Sequence, residues 1–276
     1  MHFKSTENES GAMPTGSYDF DRLNDTSYQT DRLLQQAKAI RGMEAAILRQ
    51  AGIQSGQDVL EIGCGPGFVT DLLAELALDG SVHAVEPSAT LLAQVEGNVK
   101  TRPARGLHLH QAFGNALPLA DGAVDFSYAR FVLQHVPDPQ SVVAEAFRVT
   151  RPGGRFCAVD SDDGLVVVYP EEPRVAEILQ KAQAIQASQG GDRFIGRKMQ
   201  GMMVAAGFSN VRTRVLSMTS SELPFGVLFN ILLGYKASLL GDAMDSRKLY
   251  EDLAGDVVAG RRLVAAGVFI VTGERA

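Results

Sequence analysis

Two stretches of the chain combine residue types that hold small polar ligands. The first is Val59-Leu60-Glu61-Ile62-Gly63-Cys64-Gly65-Pro66-Gly67, an apolar run that opens into three glycines. Glycine permits a sharp turn and lets backbone N–H groups approach a ligand that a Cβ would repel. The second is Ser81-Val82-His83-Ala84-Val85-Glu86-Pro87, an apolar run closed by a carboxylate. At a strand end, Glu86 can accept hydrogen bonds from both hydroxyls of a ribose. Its alternative is an acid near a helix N-terminus, with Ser88 as the cap. The glycine spacing is G-x-G-x-G. Phe68 stands where a dinucleotide fingerprint needs its third glycine, and the Gly-Lys-Ser/Thr of a mononucleotide loop is absent.

Other groups with chemistry are few. His135 follows an apolar run and is a candidate general base, with packing and helix capping as its other role. Asp160, Asp162 and Asp163 border the same region and read as a polar turn. His83, His108 and His110 lie in or beside strands and read as structural or exposed. Cys64 and Cys157 sit in apolar surroundings without metal-ligand spacing. No metal site is expected, and two such cysteines fit a reducing compartment.

These residues need elements to position them. Strand-length apolar runs occur at Asp58–Ile62, Ser81–Val85, Leu107–Ala112, Val124–Tyr128 and Arg155–Val159, with amphipathic helices between several of them. Asp138-Pro139 opens one helix as cap and first-turn proline, and Arg151-Pro152-Gly153-Gly154 ends it. A helix is expected over Thr26–Gln50, helical structure over 171–206, a strand at Val211–Met218 and a final strand at Gly267–Thr272. The segment 222–262 is mostly helical and apolar all round, so it should be buried on more than one side. Strand–helix alternation implies an α/β fold with a parallel sheet covered on both faces.

Three further segments complete a pattern. Gly114-Asn115-Ala116-Leu117-Pro118-Leu119 follows the third strand. Val124-Asp125-Phe126-Ser127-Tyr128-Ala129-Arg130-Phe131 forms the fourth, and Thr150-Arg151-Pro152-Gly153-Gly154 precedes the fifth. With the glycine loop and Glu86 they resemble, in order over roughly residues 45–160, the motifs of class I S-adenosylmethionine-dependent methyltransferases. The resemblance implies a Rossmann-like seven-stranded sheet, mostly parallel with the last strand antiparallel, and a helical cap. It implies that Glu61, Gly63, Cys64, Gly65 and Gly67 hold the methionine part of the cofactor, with Glu86 and Pro87 at the ribose. Asn115 and Ala116 would meet adenine, Asn115 standing where Asp is usual, and Arg130 and Phe131 would flank the cofactor. Asp31-Arg32-Leu33-Leu34-Gln35-Gln36-Ala37 resembles the N-terminal helix of quinone-biosynthesis C-methyltransferases. From it Tyr28, Arg32 and Gln36 would reach the cofactor carboxylate or the substrate; alternatively Arg32 and Gln36 form a solvated face.

The chain has 276 residues, 45% of them hydrophobic, and a formal charge of −6. That balance argues against nucleic-acid partners, which need a concentrated basic face. No run reaches membrane-span length and no signal peptide begins the sequence, so a cytoplasmic protein is expected. Residues 1–17 read as a disordered tail, 18–50 as a cap helix region and 51–160 as the cofactor-binding core. Residues 161–276 complete the core with lid insertions at 171–206 and 222–262. The expected function is methyl transfer from S-adenosyl-L-methionine to a small, lipophilic or aromatic acceptor. An NAD-linked oxidoreductase and a non-catalytic nucleoside-binding protein on the same fold are the alternatives. A homo-oligomer is left open.

Overall fold

A computed structural model describes residues 16, 17, 20, 26–240 and 245–276. The tail expected over 1–17 thus lies almost wholly outside the described residues. The long helix α1 (Thr26–Ala51) precedes the alternation β1 (Asp58–Ile62), α2 (Phe68–Leu76), β2 (Ser81–Val85), α3 (Ala89–Asn98), β3 (Leu107–His110), β4 (Val124–Arg130), α4 (Pro139–Val149) and β5 (Thr150–Ser161). Local chemistry sets several starts. Ser88 Oγ accepts the Leu91 N–H at 3.2 Å, and Asp138 Oδ1 accepts the Ser141 N–H at 3.2 Å ahead of Pro139.

β1 to β5 pair in parallel in the order β3-β2-β1-β4-β5. Side chains alternate across this sheet and divide the core. Val59 joins Leu48, Leu73 and Val95 on the α1–α3 face, whereas Leu60 and Ile62 join Val143 and Met203 on the other.

The rest of the chain comprises β6 (Val167–Tyr169), α5 (Pro173–Ser188), α6 (Met199–Ala206), β7 (Ser209–Thr219), α7 (Phe225–Phe229), α8 (Tyr235–Leu240), α9 (Ser246–Val258) and β8 (Leu263–Glu274). β8 runs antiparallel to β5 on one edge and to β7 on the other. The expected opposed last strand is therefore present, and longer than its apolar centre indicated. An eighth strand joins the expected seven: β6 pairs antiparallel with the start of β8, beyond the end of β5. Three residues with no alternating pattern gave it no signal in the sequence.

Between α7 and α8 the chain forms one π-helical turn, Asn230–Gly234. This α7–α8 unit packs on α1, while α5 packs on α8 and α9 on α7. Phe225, Phe229 and Tyr250 form a ring cluster there, Phe225 stacking on Tyr250 at 5.3 Å. α6 lies against α4 on the opposite face of the sheet, where Met199 and Met203 are fully buried.

Candidate active site

β1 and β4 are neighbours, and strand order reverses between them; ligands of open α/β sheets settle at such points. The glycine loop stands there. Gly63 and Gly65 have φ of 71° and 55°, a backbone region that side chains disfavour. A Cβ on Gly63 would lie 2.5 Å from Val132 Cγ2, so the turn packs on the end of β4. A Cβ on Gly65 would meet nothing within 4 Å, because that residue opens onto a cleft.

The loop amides are arranged differently from the expectation. The N–H groups of Gly63 and Cys64 donate to Val85 O at 2.8 and 3.0 Å, and that of Gly67 to Cys64 O at 3.1 Å. The Gly65 N–H donates to Glu86 Oε2 at 3.0 Å, and the Ser88 N–H to Glu86 Oε1 at 3.0 Å. These amides fasten the loop to the end of β2 and are not aimed together at a ligand. Glu86 is buried and lines the cleft.

Beneath the loop lies a buried acidic cluster. Alternation along β1 turns Glu61 to the α1 face, where Thr70 Oγ1 donates to its Oε2 at 2.6 Å. Glu44 of α1 accepts the Tyr128 hydroxyl at 2.7 Å and pairs with Arg130 Nη1 at 3.3 Å. That nitrogen is buried and makes no hydrogen bond among the described residues. Burial, with Glu44 and Glu86 nearby, pushes Glu61 up to about 8 against the opposing effects of Thr70 and Arg130.

The sign of the linkage follows. Folded Glu61 keeps a proton that the unfolded chain releases near 4.5, so this contribution is complete below 4.5 and is lost as pH rises towards 8. Glu61→Gln should therefore become more stable relative to wild type by roughly a few kcal/mol as pH rises through that window. Urea unfolding at the two ends of the window checks this; parallel wild-type and variant curves would show an ordinary carboxylate.

The far end of the cleft is cationic. Arg193 donates from Nε and Nη2 to Asp163 at 3.2 and 2.9 Å, and from Nη1 to Gln134 Oε1. Lys236 Nζ lies 3.2 Å from Asp163 Oδ1 and donates to Leu232 O at 2.6 Å. Burial and Arg193 pull Lys236 down to about 7, against the attraction of Asp163. Burial works against an ionised Asp163, but Lys236 and Arg193 outweigh it and hold its carboxyl low. Asp162 accepts from Arg197 Nε and Nη2 at 2.7 and 2.5 Å. His135 is half-buried, with Nδ1 3.0 Å from Ser17 Oγ and 3.3 Å from Gln186 Nε2. Burial and the charges of Arg193, Arg32 and Lys236 hold its pKa far below the usual histidine range, so the ring is neutral. The Tyr235 hydroxyl donates to Ser17 O at 2.6 Å, tying α8 to the segment before α1.

Residues 60–158 match the family model described as a methyltransferase domain. Over those residues the chain is similar to methyltransferase domains. It is 32% identical over 173 residues to an uncharacterized 37.1 kDa protein in transposon TN4556 of Streptomyces fradiae, covering 62% of this chain and 49% of that protein. It is 38% identical over 112 residues to the demethylmenaquinone methyltransferase of Geobacillus stearothermophilus, covering 39% and 47%. The chain thus spans about half the length of the curated relatives it matches. In fold it is similar to geranyl diphosphate C-methyltransferase from Streptomyces coelicolor, with a TM-score of 0.56, 14% identity and 86% and 79% coverage. That structure holds Mg2+, geranyl diphosphate and S-adenosylhomocysteine.

The cleft is lined by Glu61, Gly63, Cys64, Gly65, Glu86, Pro87, Arg130 and Phe131 of the expected set, and also by Arg32, Gln36 and His135. Arg32 and Gln36 are buried, so the solvated-face alternative for them is corrected. Gly67, Asn115, Ala116 and Tyr28 do not border it: Gly67 faces Val95 of α3, Ala116 is exposed and Tyr28 is 46% exposed. Asp162 and Asp163, expected as a polar turn, are each held by an arginine and line the cleft. Phe131 has a φ of 56°, rare for a bulky residue, and the Arg130 guanidinium lies 5.2 Å from its ring.

Sequence reasoning missed Glu44, Arg193 and Lys236. Glu44 had a signal, since it stands between Ile40 and Leu48 at helical spacing on the apolar face of α1. Lys236, amid the apolar segment 225–240, had one too. Arg193 had none. No helix among the described residues is long and apolar enough to cross a membrane.

Proposed function

We propose that the chain transfers a methyl group from S-adenosylmethionine to a small acceptor with an apolar body. The observation that carries this reading is the glycine loop itself. Its amides are engaged within the protein, so it offers no group of N–H donors to a pyrophosphate, while Glu86 beside it lines the cleft. That arrangement favours a nucleoside without phosphates and weighs against NAD. Three features fit the cofactor: the open space at Gly65, the acceptor oxygens of Glu86 and the buried Arg130 nitrogen lacking a hydrogen-bond partner.

In this reading Glu86 holds the ribose, and Glu61, Gly63, Cys64 and Gly65 surround the methionine part. Bound there, the cofactor would supply an electrophilic sulfonium methyl group. The protein's part is alignment and exclusion of water. Arg32 and Gln36 close the cleft from α1, and Ile231 and Leu232 cover it from the lid. His135 also lines the cleft, but the burial and cations that keep its ring neutral make it a poor proton acceptor, which suits an acceptor needing no general base.

Titration calorimetry with S-adenosylmethionine, S-adenosylhomocysteine and NAD tests the reading. Micromolar binding of the first two, without NAD, is expected. Binding of NAD alone would overturn it.

A further inference from the structure

If methyl transfer is the activity, the charges in the acceptor half of the cleft narrow the acceptor further. Leu33, Val166, Met218, Ile231, Leu232 and Val268 give the cleft an apolar part of its lining. The end of the chamber holds Arg32, Arg193 and Lys236, which are 8%, 7% and 2% exposed. Asp163 is the carboxylate set among them, at 7%. Asp162 is matched by Arg197, Arg130 by Glu44, and His135 is neutral. Among the groups lining this end, three cations thus face one carboxylate; Asp160, buried behind Gln134 and also near Arg193, is pushed up to about 7 by its burial and answers them only in part.

Buried charge of one sign is costly to maintain unless something answers it. Internal partners answer it in part. Arg193 uses three of its five donors on Asp163 and Gln134, and Arg32 donates from Nε to Gln29 at 2.9 Å. Among the described residues no carboxylate pairs with Arg32 within 4.0 Å. The fold also makes room for Arg32 at the chamber. A Cβ on Gly234, the last residue of the π turn, would fall 2.8 Å from Arg32 Cδ. A single wide turn of this kind inside a helix is a recurrent feature of functional sites.

We infer that the acceptor is an organic acid, its apolar body against the lid and its carboxylate held by Arg193, Lys236 and Arg32. The carboxylate is the anchor and a different atom receives the methyl group, since an anion paired with arginine and lysine is a poor nucleophile. A net positive charge among the lining groups matches one carboxylate. A phosphate monoester shares this chemistry and is separated by the test.

The experiment is competition calorimetry on the full chain, saturated with S-adenosylhomocysteine, against matched probes. These are decanoate, decanamide and decyl phosphate, with cinnamate and cinnamamide as the aromatic pair. At least one carboxylate should bind about tenfold or more tightly than its amide. Lys236→Met should remove most of that preference while leaving S-adenosylhomocysteine affinity unchanged. Amides binding as well as both carboxylates, or decyl phosphate outbinding decanoate by about tenfold, would overturn the inference. If Lys236→Met does not fold, the wild-type comparison decides alone. Failure of S-adenosylhomocysteine to bind at the outset would instead sink the methyltransferase reading, so the two failures are distinct.

Discussion

Glu86→Ala should weaken S-adenosylmethionine and S-adenosylhomocysteine binding by about a hundredfold, equivalent to about 3 kcal/mol. Two contributions add to that loss. In the proposed complex the carboxylate accepts charge-assisted hydrogen bonds from the ribose, each worth more than a neutral one. It also fixes the loop, because its oxygens accept the Gly65 and Ser88 N–H groups. Glu86→Gln separates the two effects. It keeps one acceptor oxygen and should lose about tenfold, with an unfolding midpoint close to wild type. Calorimetry with thermal unfolding of both variants reads the outcome. Unchanged affinity in Glu86→Ala would remove the carboxylate from the binding site.

Asp163→Asn should destabilise the protein by about 3–5 kcal/mol, because removing one member of a buried ion group strands the others. Lys236 can answer the loss by releasing its proton, since burial already holds it near 7. Arg193 cannot do so, and only 7% of its side chain reaches solvent. The melting temperature should fall by roughly 10 °C for a chain of this size. The double variant Asp163→Asn/Lys236→Met should recover part of the loss, since it removes a buried amine that has lost its carboxylate partner. Thermal denaturation across this cycle checks the coupling; additive effects would show that Asp163 and Lys236 do not interact.

How much of this was legible in the residues depended on how local the cause was. β1 and β2 begin and end where their apolar runs do, because each is buried on both faces and stops at a turn. Glu86 was visible because a carboxylate closing such a run has few other uses. The engaged amides of the glycine loop were not visible. Glycine spacing specifies a turn, but where the N–H groups of that turn go depends on β2, which brings Val85 O beneath it. The cationic end was hidden for a related reason. Asp163, Arg193 and Lys236 come from three separated segments, and only the docking of the lid on α1 and α5 brings them together. His135 could be placed near the site, but its charge state could not, because that depends on its desolvation in the fold and then on those same arriving cations.

The position of β8 has a consequence for the order in which the molecule is made. It is the last strand in the chain, yet it lies inside the sheet, with β5 on one edge and β7 on the other. During synthesis β1 to β5 can assemble as their residues emerge, but the free edge of β5 must wait for residues 263–274. β7 has no ladder to join until then. Throughout that interval a nascent chain carries an uncovered parallel sheet edge, the kind of surface that invites pairing with other chains. The parallel half of the sheet is therefore nearly complete before the strand that covers its edge has been made.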